Sequence, residues 1–130
     1  MRYVITADVA LRLARDRARP AEGVELVAPT LLRSQVLSLL YRAVQDGELT
    51  RPEAEGDLDH LRSLQPRLLG DRALQRAAWR VAEQLGWADT LSAEYVALTQ
   101  LQADALVTLD RHLADSVEGL VAVAPIDDLL

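Results

Sequence analysis

The sequence predicts an α/β fold, with helices covering both faces of a parallel sheet. Three observations carry that expectation. Short apolar or β-branched runs recur along the chain, as strands buried on both faces require. Longer stretches of helical periodicity alternate with them, the order that builds parallel sheets. Pro, Gly and helix-capping residues mark the junctions between the two kinds of segment.

The first strand is expected in RYVITA (2–7). DVALRLARDRAR (8–19) then places Val9, Leu11 and Leu13 on a helix that stops before Pro20, whose ring cannot continue it. VELVAP (24–29) is a second strand, closed by Pro29. TLLRSQVLSLLYRAVQDG (30–47) opens on a Thr N-cap and keeps apolar residues at helical spacing until Gly47. In TRPEAEGDLDHLRSL (50–64), Thr50, Pro52 and Glu53 form a capping-box pattern, and Gly56 weakens the helix. GDRALQRAAWRVAEQLG (70–86) and DTLSAEYVALTQLQ (89–102) are two more helices, the second capped by Asp89 or Thr90. DALVTL (104–109), a short helix from Asp110 and a last strand LVAVAP (120–125) complete the order. That order, β-α-β-α-α-α-α-β-α-β, implies a sheet of about four parallel strands between two helical layers. No internal repeat or linker divides the chain, so one domain is expected over residues 1–130.

Composition narrows the function classes. Half of the 130 residues are apolar and 26% are charged, the balance of a folded protein. No apolar run approaches the roughly 20 residues of a membrane span. Charges interrupt the N-terminal segment where a signal peptide needs an apolar core. Without cysteine there is no disulfide or thiolate chemistry, which suits a reducing cytoplasm. The formal charge of -6 repels nucleic acid unless basic residues cluster locally, and every one of the 14 basic residues is arginine. There is no glycine-rich phosphate loop and no Ser-His-Asp set.

Three stretches carry a family resemblance that spans nearly the whole chain: YVITADVALRL, APTLLRSQVLSLLYRA and AEYVALTQLQADALVTLDRHL. With the element order, they resemble a PIN domain of the VapC type, the toxin half of bacterial toxin–antitoxin pairs. The resemblance implies a three-layer α/β/α PIN-like fold. It also implies cleavage of single-stranded RNA with Mg²⁺ or Mn²⁺ held by carboxylates at the carboxyl ends of the strands. An antitoxin protein partner and a homodimer are implied as well.

Carried over residue by residue, the pattern breaks. The family's first Asp falls on Thr6, its helix Glu on Gln35 and the Asp opening its penultimate helix on Ser92; only the final Asp is kept, as Asp110. Hard divalent cations depend on ligand charge, so this set holds Mg²⁺ poorly. A rearranged cluster is conceivable. If the first strand runs extended to residue 8, Asp8 faces the same side as Thr6. Asp89 or Glu94 then leans in from the penultimate helix, and the catalytic and metal-binding acids become Asp8 and Asp110. The competing reading makes Asp8 and Asp110 plain helix N-caps. The resemblance therefore implies either a PIN-derived protein that acts mainly by binding a partner, or an active endoribonuclease built around Asp8 and Asp110.

Among the basic residues, Arg12, Arg33 and Arg111 are candidates to hold an RNA backbone, and the arginines at 15, 17 and 19 continue a solvated face. His60 and His112 lack companions at zinc-ligand spacing. Trp79 and Trp87 are expected to pack inward.

Overall fold

The computed structural model describes residues 1–130. The apolar runs pair into one sheet of five parallel strands in the order β3-β2-β1-β4-β5. The strands are β1 (Arg2–Ile5), β2 (Glu25–Pro29), β3 (Arg67–Leu69), β4 (Ala105–Val107) and β5 (Val123–Ala124). The helices are α1 (Ala7–Arg15), α2 (Leu31–Gln45), α3 (Arg51–Leu64), α4 (Arg72–Leu85), α5 (Leu91–Gln102) and α6 (Arg111–Ser116). A 3-10 turn at Ile126–Leu129 ends the chain.

The expected strand number was about four; the fifth is β3. Its three residues lie at the sheet edge, where Val27 pairs with Arg67 and Ala28 with Leu68. Backbone pairing, with little apolar burial, makes it a strand, which is why no apolar run announces it.

β1 is central, with Tyr3 opposite Leu26 on one side and Val4 opposite Leu106 on the other. Right-handed crossovers from β1 to β2 and β2 to β3 put α1, α2 and α3 on one face. The return from β3 to β4 crosses the other face, where α5 packs on β1, β2 and β4 with α4 over it. Six of the twelve α5 residues are buried because the helix has the sheet on one side and α4 on the other. Val4, Ile5, Val27, Leu106 and Val107 are all but inaccessible at the centre of the core.

The first strand is shorter than its sequence run. Ala10 N–H already bonds to Thr6 C=O at 3.0 Å, so the helix starts at residue 7 with Thr6 as N-cap. Asp8 is therefore in the first helical turn, neither on an extended strand nor at the cap, and its charge there suits the helix dipole. The capping box of α3 is present as read: Glu53 N–H donates to Thr50 Oγ1, and Thr50 N–H to Glu53 Oε1. Thr30 precedes α2 without a side-chain cap bond. It packs instead against Gly70, where a Cβ would lie 2.7 Å from Thr30 Oγ1.

A charge cluster ties α1 to α3. Asp57 is 2% exposed on the inner stripe of α3, and its Oδ1 accepts from Arg15 Nη2 at 2.9 Å and Arg17 Nη1 at 2.7 Å. These two arginines were expected on a solvated face; the buried carboxylate draws them down instead. Arg17 adopts a left-handed backbone (φ 52°) just past α1 and also donates to Ala14 C=O. Gly56 leaves room for it: a Cβ there would come within 2.9 Å of Arg17 Nη2.

Removing both arginines strands a buried carboxylate, so R15A/R17A should cost about 3–5 kcal/mol in urea unfolding. Each single variant should cost less than half of that, because the other guanidinium still holds Asp57. A double variant within about 0.5 kcal/mol of the parent would show that the cluster contributes nothing.

Candidate functional site

Strand order reverses at β1: the chain fills one side through β2 and β3, then returns to the other through β4. Helices leave β1 and β4 on opposite faces, so a crevice opens at their carboxyl ends, the usual place for a ligand in an open parallel sheet. A cleft of about 340 Å³ lies there.

Five sequence-derived positions line it together: Thr6 just past β1, Asp8 in α1, Gln35 in α2, Ser92 in α5 and Asp110 just past β4. Tyr95, Ser38 and Thr108 complete its polar lining and were not singled out from the sequence. The signal for Tyr95 was available, since it lies three residues after Ser92 on the same helical face.

The polar groups mostly satisfy one another. Thr6 Oγ1 donates to Asp8 Oδ1, which also accepts Val9 N–H at 2.7 Å. Asp110 caps α6, its Oδ1 accepting Leu113 N–H at 3.1 Å, while its own N–H donates to Thr108 Oγ1. The Tyr95 hydroxyl donates to Gln35 Oε1, which leaves the amide NH₂ as the donor Gln35 offers the cleft. Burial, then the negative charges of Glu94 and Asp8, raise the Tyr95 phenol well above the ordinary tyrosine range.

The remaining candidates are elsewhere. Asp89 does not line the cleft; its carboxylate turns back onto Leu91 N–H at 3.0 Å. Glu94 is also outside the lining, and burial raises its carboxyl above the usual range. Arg12 lines an adjoining cleft with Asp8, Arg33 borders a separate groove between α2 and α3, and Arg111 is exposed at the start of α6. These arginines do not converge on one surface.

Hard divalent cations take oxygen ligands, and their affinity rises with the charge those ligands carry. This cleft offers two carboxylates, each with one oxygen already accepting a protein donor, beside neutral Thr, Gln and Ser. Nowhere in the chain do three His, Cys, Asp or Glu side chains gather as a metal-holding group. The donor set is poorer in charge than the cluster of three or four carboxylates that the resemblance implies.

Comparison with known proteins bears on the fold. No family model and no curated protein matches the sequence. Among solved structures, that of PAE2754 from Pyrobaculum aerophilum matches with a TM-score of 0.73 and 21% identity, over 99% of this chain and 86% of that one. A chain in the structure of VapBC2 from Rickettsia felis, bound to a DNA fragment from their promoter, matches with a TM-score of 0.66 and 10% identity, over 96% of this chain and 98% of that one. At such identities the likeness establishes architecture. The chain has the PIN-like α/β/α fold, with five parallel strands.

The raised Tyr95 proton affinity sets a pH dependence. A phenol that ionises later in the folded than in the unfolded chain stabilises fully below about pH 10, and that contribution is lost as pH rises through the folded value. Unfolding by urea should show stability falling above pH 10, with a shallower fall in Y95F. Equal slopes in the two proteins would remove Tyr95 as the cause.

Proposed function

We propose that the chain is a VapC-like PIN protein whose carboxylate site has lost the charge for metal-dependent RNA cleavage and which works chiefly by binding a protein partner. The observation that carries this reading is the donor set of the cleft: three of the five converging positions, Thr6, Gln35 and Ser92, are neutral. Ligand charge is what most determines affinity for hard cations.

A binding role also accords with the surface of α2. Leu37 and Tyr41 are exposed there, at 57% and 65%, beside a groove of about 480 Å³ whose lining includes Leu58, Leu61 and Leu68. An apolar surface of this kind marks an interaction site more often than an idle one. The partner on this reading is an antitoxin-type protein or a second copy of the chain, met in the cytoplasm; no helix is long and apolar enough to cross a membrane.

A second reading has one observation in its favour. Asp8 and Asp110 line the same cleft, and the Oδ2 of each is free of protein donors. Those two acids would then be the core of a rearranged Mg²⁺ or Mn²⁺ endoribonuclease.

Calorimetry separates the two. The native chain should show no Mg²⁺ or Mn²⁺ binding in the micromolar to low-millimolar range, while a T6D/Q35E/S92D variant should gain it. Native binding that disappears in D110N would overturn the binding reading in favour of the enzyme.

A further inference from the structure

The Asp57 cluster ties α3 to α1, and on its other side α3 faces α2 across an open groove of about 480 Å³. Leu32, Val36 and Leu37 of α2 form one wall, Leu58 and Leu61 of α3 the other, and Leu68 of β3 joins them from the sheet. Side chains in a packed interior leave few gaps. Leu58, Leu61 and Leu68 stay only half-buried because nothing fills the space between the helices. Trp79 makes the contrast: it is 65% exposed on α4, where inward packing was expected, but its surround is Gln75, Arg76 and Arg80, with no apolar wall.

The charge of the groove is as distinct as its shape. The chain has 20 acids and none of them lines it, whereas the two clefts that share Asp8 each include a second carboxylate. Its charged members are Arg33 from α2 and Arg62 from α3, one from each wall, and its other polar side chains, Ser34 and Gln65, are neutral. Arg62 meets Asp59 at 2.9 Å, but that pair is exposed on the surface of α3 and contributes little, so a ligand oxygen can take its place. An apolar trough with cations on both walls and no acid is complementary to an anion with an apolar body.

Size selects among such anions. The space is about that of one turn of helix with its side chains, too short a segment to anchor a protein by itself. It does fall within the roughly 300–1,000 Å³ of small-molecule sites, which are mostly apolar with a few polar groups that orient the ligand. An unbranched alkyl chain suits a trough between two helices. A carboxylate is the single charge that an arginine fork takes with two parallel hydrogen bonds.

We propose that the groove between α2 and α3 binds a medium-chain aliphatic carboxylate, its chain against the leucines of both helices and its head group held by Arg33 and Arg62. The groove shares no residue with the cleft at β1 and β4, so the proposal is independent of the metal chemistry there. It is also independent of any protein partner, because a small molecule alone tests it.

The test is calorimetric titration of the full chain with sodium decanoate below its micelle concentration. One site per chain is expected, with a dissociation constant of about 10–300 μM for a ligand of this size. Octanoate, two methylenes shorter, should bind about tenfold more weakly. Decylammonium, of the same length and opposite charge, should not bind. R33E/R62E should abolish decanoate binding, and since both positions are exposed its circular dichroism should match the parent. In methyl NMR spectra decanoate should shift Leu58, Leu61 and Leu68 and leave Leu91 and Leu101, exposed on α5, unmoved. Absence of decanoate binding by the native chain would overturn the proposal. So would decylammonium binding as tightly as decanoate, an affinity untouched by R33E/R62E, or shifts at the α5 leucines in place of those in the groove.

Discussion

The reversal of strand order at β1 is the constraint from which the rest of the structure follows. β1 has β2 on one side and β4 on the other, and right-handed crossovers send the connecting helices to opposite faces. The gap left at the carboxyl ends is a product of topology and chirality, with no help from the residues that line it. The pairing of Ile5 with Val107 fixes where both central strands end, and hence where Thr6 and Thr108 emerge. α2 and α5 add Gln35, Ser92 and Tyr95 from above. A cleft built this way persists when its side chains change, and its presence alone says little about the chemistry it supports.

Most of its polar groups are paired locally: hydroxyl with carboxylate at Thr6 and Asp8, phenol with amide at Tyr95 and Gln35, and carboxylate with helix N–H at Asp110. Three or four carboxylates in one crevice would repel each other and require a cation to be stable together. Neutral hydroxyls and an amide need none, and no buried side-chain polar atom in the chain lacks a partner. The cleft is thereby compatible with a folded chain in the absence of any divalent metal, which is the condition a partner-binding protein would have to meet.

What could be read from the sequence is what depends on nearby residues. The capping box at Thr50 and Glu53 and the left-handed glycine ending α4 are set within a few positions, and both are found. The convergence of Thr6, Gln35, Ser92 and Asp110 was accessible only because three stretches could be aligned with a known pattern, since nothing local ties these positions together. β3 was missed because it is held by an edge ladder with little apolar burial. The cap of α1 is Thr6, two residues before the Asp8 of the N-cap reading, which leaves Asp8 within the first helical turn. Trp79 was legible in principle: the phase of Leu74, Ala77, Ala78 and Val81 already puts position 79 on the far side of α4.

Arginine shows most plainly why residue type underdetermines role. Arg15 and Arg17 share their side chain with Arg76 and Arg80, and all four are on exposed or half-exposed helix surface in sequence terms. The first pair closes on Asp57, whose acid is placed on the inner stripe of α3, at the phase of Ala54. No acid of a neighbouring helix reaches the second pair, so their charge is left for solvent or a ligand. The difference is a single carboxylate forty residues away in sequence, and net charge averages over it. An acidic chain can thus carry unpaired arginines along one helix, as α4 does at Arg72, Arg76 and Arg80.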